Sequence, residues 1–220
     1  MSETAPAVGR SVLRPDGFAK VTGRTRYLDD LPDAGFWHGV TVRSPHAKAR
    51  IVRIDASGVR DSEARVLTAA DLGGRNVVQL IFDDWPVLAA SRVNHVGEAV
   101  ALVAAPSLER ARAAAAAIRV EYVPEPAVLS IDDALAGDPR TGGALNVLAQ
   151  CNIRHGDVDA AFAEAGLIVV EGEYETGHQE HAYIEPNAMM ATPEFDRDGA
   201  FAGVDITGSL QCPYYVHHAL

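Results

Sequence analysis

The stretch from Asn94 to Pro126, "NHVGEAVALVAAPSLERARAAAAAIRVEYVPEP", constrains the fold more than any other part of this chain. Val100 to Ala104 is an apolar run of the length of a buried strand, and Pro106-Ser107 supplies a stop followed by an N-cap. Leu108 to Ile118 is alanine-rich and reads as a helix whose first turn is set by Ser107, Glu109 and Arg110. "IRVEYVP" then alternates as a strand and ends at Pro124. Strand, helix and strand in this short span predict an α+β domain, a small mixed sheet with helices on one face. The alanines let the helix pack closely, which is a structural role.

Upstream, "RPDGFAKVTGRTRYLDDLP" is dense in Gly, Asp and Pro and reads as an extended arm with turns. "GFWHGVTVRS", "KARIVRIDAS" and "ARVLTAAD" read as strands, with a short helix expected from Ser57 to Ala64. Downstream, residues 126–150 turn to Pro, Gly, Asp and Ala, the composition of a connector, with a short helical signal in "SIDDALAG". "DVDAAFAEA" is a short acidic helix, and "LIVVEGEYETG" and "AFAGVDITGSLQ" read as the first strands of a second α+β domain. The organisation expected is an arm over 1–19, a domain over 20–125, a connector over 126–150 and the start of a second domain over 151–220.

Composition narrows the functional classes. Nearly half of the 220 residues are hydrophobic (48%), enough for a core, and the formal charge of −11 disfavours capture of a phosphate backbone by a diffuse positive surface. Nucleic acid is therefore an unexpected partner. Two cysteines, Cys151 and Cys212, without C-x-x-C spacing encode neither a disulfide framework nor a thiolate metal site. With no apolar leader core and no run of roughly 18 to 20 apolar residues, the expectation is a cytoplasmic protein without a membrane partner.

The densest polar cluster is "TGHQEHAYIEPNAM", residues 176–189. Three chemistries fit it: a metal site built from His178, His181 and Glu185, an acid/base or bracing cluster, or a polar turn exposed to solvent. The signature spacings of helical metal sites are absent. His95 at the head of a strand is read as a structural hydrogen-bonding residue, His217-His218 as solvated helix residues, and Cys212 as a small buried residue. The adjacent acid pairs Asp29-Asp30 and Asp83-Asp84 point in different directions and make no carboxylate dyad.

Five segments, "GFAKVTGRTRYLDDL", "VRSPHAKARIVRID", "HVGEAVALVAAPSLERARAAAAAIRVEY", "GHQEHAYIEPNAMMA" and "TGSLQCPYYVHHAL", occur in the order seen in the large subunits of molybdenum hydroxylases. From about residue 10 to its end the chain thus resembles the xanthine dehydrogenase and aldehyde oxidase family. The resemblance implies a hammerhead domain over about 20–125 and the start of a molybdopterin-binding region after about 150. It implies a Ser/Thr-Gln step that ends a strand and sets a glutamine amide beside the apical oxo ligand of molybdenum. "GSLQ" puts Gln211 there, with Leu210 in place of the hydroxyl residue and Ser209 one position earlier. A glutamine amide donates a hydrogen bond to an electronegative oxygen without titrating.

The resemblance further implies that Gln179, His181 and Glu185 brace the site from behind, in a "QEH" plus "EP" pattern, and that the protein supplies no thiolate to the metal. The activity implied is oxidative hydroxylation of a heteroaromatic or aldehyde substrate with water as the oxygen source, leaning to a xanthine dehydrogenase-like enzyme. The cofactor implied is molybdopterin, with FAD and 2Fe-2S clusters on other subunits or domains. A glutamate base and most pterin-binding segments of such a large subunit follow the glutamine, and this sequence has nine residues after Gln211. The expectation is an N-terminal segment or split subunit, inactive alone, whose partners are a C-terminal molybdopterin-binding polypeptide or segment and flavin and iron–sulfur subunits. The alternatives are a non-catalytic assembly module of a multi-subunit oxidoreductase, or a metal-dependent hydrolase using His178, His181 and Glu185.

Overall fold

A computed structural model describes residues 8–31, 35–78, 83–136, 150–182 and 187–219. Its strands are β1 (His38–Arg43), β2 (Ala49–Asp55), β3 (Arg65–Thr68), β4 (Arg92–Val93), β5 (Ala99–Ala105), β6 (Arg119–Pro124), β7 (Ala188–Phe195) and β8 (Phe201–Ser209). Its helices are α1 (Gly17–Val21), α2 (Leu108–Ala117), α3 (Ile131–Leu135), α4 (Val158–Phe162) and α5 (Pro213–Ala219). The chain is α+β, as expected. It divides into two compact units, one over Trp37–Val78 and Asp84–His181 and another formed by described residues before Trp37 and after His181.

In the first unit the strands form two three-stranded sheets, ordered β1-β5-β3 and β4-β2-β6, and every pairing is antiparallel. The strand–helix–strand order of β5, α2 and β6 is present, yet the two strands lie in different sheets. The reason is that β1 and β3 occupy both edges of β5, leaving no ladder for a parallel β6. The central position of β5 explains its sequence, since a strand covered on both faces reads as a continuous apolar run rather than an alternating one. Val100, Ala101, Val103 and Ala105 are all fully buried.

Helix α2 starts where Ser107 Oγ accepts the Arg110 N–H at 3.3 Å. Its buried face is made of Ala111 and Ala114, whose small side chains let the helix axis approach the sheet closely. Ala114 and Ile118 pack with Val103, supported by Val42, Ile54, Val59, Val66 and Val120. A second cluster holds Ala49, Ala89, Val93 and Val100, again with Val42 and Val120 against it, so the two sheets share one core. Each fully buried valine contributes about 1.5 to 3 kcal/mol relative to exposure. Asn76 fastens the loop beneath, donating to Leu88 O at 2.7 Å and accepting the Leu88 N–H at 3.0 Å.

The helix expected from Ser57 to Ala64 is not formed. Asp55 and Asp61 instead accept the N–H groups of Ser57 and Glu63, each at 3.0 Å, and these side-chain turns outcompete a helical ladder. Gly58 lies so close to α2 that a Cβ there would be 2.6 Å from Ala117 O. The Arg110 guanidinium reaches from α2 to Asp61 and to Glu63, closing this loop onto the helix. It holds the Asp61 carboxyl well below its ordinary range, at about 2.

The second unit contains the β7–β8 hairpin, paired from Ala188↔Ser209 to Phe195↔Phe201. Asp196 shapes its turn by accepting the N–H groups of Asp198 and Ala200, both at 2.9 Å, and Gly199 takes the left-handed φ of +80° that completes the reversal. Two sequence expectations need correction. The arm contains the one-turn helix α1, closed by the Thr22 hydroxyl donating to Phe18 O at 2.7 Å. The partner of β8 is β7, whereas "LIVVEGEYETG" forms no strand among the described residues, because a hairpin closed over Asp196–Gly199 costs far less loop entropy than pairing with a distant segment. Helices α3 and α4 match their sequence signals, capped by Ser130 and Asp157. The expected connector over 126–150 lies largely outside the described residues.

Candidate functional site

The end of β8 carries the principal candidate. Strand pairing stops at Ser209, Leu210 follows half-buried, and Gln211 stands exposed immediately before Cys212 and the start of α5 at Pro213. Cys212 has φ +52°, a left-handed conformation that L-residues adopt at a cost of about 1 to 2 kcal/mol. Its carbonyl accepts the Tyr215 N–H at 3.0 Å, so the bend is anchored to the helix. The chain thus turns sharply just after the glutamine and leaves its amide facing outward. Cys212 itself is exposed, contrary to the buried position expected from its type, because a residue at such a bend has no layer above it.

The second stretch has a matching kink. Gln179 and His181 are exposed, and Ala182, directly after His181, has φ +53°. Ala182 and Cys212 are the non-glycine residues with positive φ among the described residues, and each directly follows a polar motif singled out in the sequence. His181 Nδ1 lies 3.3 Å from Glu180 Oε1, with both side chains about three-quarters exposed. Glu185 lies outside the described residues. Gln179 and His181 belong to the first unit and Gln211 to the second.

Among the described residues no group of three or more His, Cys, Asp or Glu side chains is placed to hold a metal ion. The donor set consists of primary amides and an imidazole, groups that hydrogen-bond an organic cofactor or a metal-borne oxygen rather than ligate the metal. Such a set fits molybdopterin, whose own sulfur atoms bind the metal. His217 and His218 are exposed on α5, as expected. His95 Nδ1 lies 3.0 Å from Val96 O, and its ring meets Trp85 edge-on.

Two features escaped the sequence reading. The paired left-handed residues have no signature in Ala or Cys as residue types. A cavity of about 160 Å³ is lined by Asp84, Trp85, Pro86, Asn94, His95 and Glu98, and the buried Glu98 carboxylate there accepts the Asn94 N–H, bracing the β4–β5 turn. The spacing of "NHVGE", with its glycine at φ +86°, was the available signal. Among the described residues no helix is long and apolar enough to cross a membrane.

Comparison with known proteins bears on all of this. Residues 22–126 match the family model for the aldehyde oxidase and xanthine dehydrogenase a/b hammerhead domain, and residues 142–220 match that of the molybdopterin cofactor-binding domain. The chain is 36% identical over 189 residues to a probable xanthine dehydrogenase subunit of Bacillus subtilis, covering 84% of this chain and 25% of that protein. It is 31% identical over 218 residues to the nicotinate dehydrogenase large molybdopterin subunit of Eubacterium barkeri, covering 98% of this chain and 50% of that one. Among solved structures it resembles the aldehyde oxidoreductase of Desulfovibrio gigas, with a TM-score of 0.71 and 33% identity over 86% of this chain and 22% of that one. The chain therefore spans a quarter to a half of the length of these two curated relatives.

Proposed function

The chain belongs to the aldehyde oxidase and xanthine dehydrogenase family, and from that premise we propose that it forms the hammerhead domain and the first part of the molybdopterin-binding region of a molybdenum hydroxylase. The observation that carries the reading is the exposed Gln211 amide at the end of β8, presented by the left-handed bend at Cys212. In this reading Gln211 donates an N–H to an oxygen of the cofactor, while Gln179, His181 and Glu185 orient the groups around it. The hammerhead domain spans about 20–125, the connector 126–150 and the cofactor-binding part 151–220. Bound molybdopterin would supply the two-electron oxidation that converts a substrate C–H and water into a hydroxyl group, two protons and two electrons.

The substrate is a heteroaromatic or an aldehyde, with a lean to a xanthine dehydrogenase-like reaction supported by the relatives named above. The electrons leave through 2Fe-2S clusters and FAD on other subunits or domains. The rest of the cofactor-binding region completes the active site, so these residues alone have no turnover. What supports this is the share of each relative that the chain covers.

Metal and pterin analysis of the purified native complex, together with the mass of every copurifying chain, tests the proposal. Stoichiometric molybdenum is expected. Within that complex Gln211→Ala is expected to lower kcat about ten- to a hundredfold with molybdenum content retained. Absence of molybdenum from the native complex, or full turnover by the variant, would remove Gln211 from the site.

A further inference from the structure

Residues 167–176 read "LIVVEGEYET", the pattern of a strand, yet among the described residues they join no sheet and their backbone from Leu167 to Thr176 makes no hydrogen bond. Ile168, Val170 and Tyr174 are 89%, 90% and 92% exposed, an unusual state for three large apolar side chains so close together. With period-two alternation, Ile168, Val170, Gly172 and Tyr174 share one face. The Tyr174 ring does lie over Gly172, where a Cβ would be 2.8 Å from the phenol oxygen. The opposite face carries Leu167 and Val169, half-exposed against α4, followed by Glu171, Glu173 and Glu175. None of these three glutamates has an ion-pair partner among the described residues.

We propose that residues 167–176 are a docking strand for the polypeptide that carries the remainder of the molybdopterin-binding region. An extended segment of that polypeptide pairs with this backbone. Its Lys or Arg side chains, at alternate positions, face Glu171, Glu173 and Glu175, and its apolar side chains cover Ile168, Val170 and Tyr174. Main-chain pairing gives such an interaction its affinity, and the alternating side chains give it its selectivity. The three carboxylates on one face favour a basic partner strand over a second copy of this chain, whose own strand would set like charges against them. The inference rests on the proposed function, since the occupant is identified through the portion of its relatives that this chain does not span.

The test uses the native complex and the full chain alone. Hydrogen exchange at residues 168–175 is expected to be unprotected in the chain alone and slowed at least a hundredfold in the complex. A photoreactive residue replacing Ile168 is expected to crosslink to the larger copurifying polypeptide, at a segment with Lys or Arg at alternate positions. The triple variant Glu171→Lys, Glu173→Lys, Glu175→Lys is expected to weaken association at least tenfold. Unprotected amides in the complex, a crosslink to a second copy, unchanged association of the triple variant, or a chain that purifies alone overturns the inference. Molybdenum content separates the two proposals: metal with unprotected amides sinks only the docking strand, and protection by a basic strand without metal sinks only the hydroxylase reading.

Discussion

The segment from Ala49 to Ile118 and the segment from Gln150 to Ala182 both carry runs of valine, isoleucine and alanine, and they end in opposite states. The first buries Ala49, Val93, Val100, Ala101, Val103 and Ala105 completely. The second has every one of its residues exposed, valines and isoleucines included. The difference lies in layers. In the first, α2 covers a sheet and a second sheet continues the same core, so each apolar side chain finds neighbours on several sides. The second has one short helix, α4, beside an unpaired segment, and apolar residues there have nothing to turn toward. Apolar sequence supplies the tendency to bury; only a second layer realises it.

Substitutions in the two segments should therefore differ sharply in their effect on the isolated chain. The largest loss is expected for Val103→Ala, about 2 to 3 kcal/mol from two lost methyl groups plus the cavity left behind, read from the denaturant midpoint. Gly58→Ala follows at about 1 to 2 kcal/mol, since the new Cβ collides with Ala117 O and either the loop or α2 must shift. Arg110→Ala should show its effect through pH. Asp61 is held at about 2 in the folded chain against an ordinary 3.8, so its contribution is present above pH 4 and disappears as pH falls toward 2. The gap in unfolding midpoint between wild type and Arg110→Ala should close over that window, and a gap that persists at pH 2 would mean the arginine acts through packing. The smallest effect is expected for Ile168→Asn, within about 0.5 kcal/mol, because its side chain is already in water. A large loss there would break the comparison outright.

The same contrast governs what could be read in advance. Strands β1, β2, β3, β5 and β6 and helix α2 were legible because their apolar spacing and the Ser107 cap are local signals. Their partners were not, since the assignment of β5 and β6 to different sheets depends on β1 and β3 occupying both edges of β5. Ser57 to Ala64 misled because aspartates that look compatible with a helix instead captured backbone N–H groups two residues on. "LIVVEGEYETG" was recognised as strand-like in pattern, but the ladder such a pattern needs is not supplied by the described residues. At the site, Gln211 was picked out through the "GSLQ" resemblance, whereas the left-handed bend that presents it could not be inferred from a cysteine.

The middle position of β5 also sets an order of events during synthesis. Among the described residues β1 and β3 have no ladder partner other than β5, and β2 pairs only with β4 and β6, so neither sheet can close until the ribosome has released residues 92–124. Three strands must wait, unpaired, for the strands that will join them, and pairings of such long sequence separation form slowly. The nascent hammerhead is therefore exposed to edge-to-edge association for as long as translation takes to cover the distance from Thr68 to Pro124, which makes this interval the natural window for a chaperone to act.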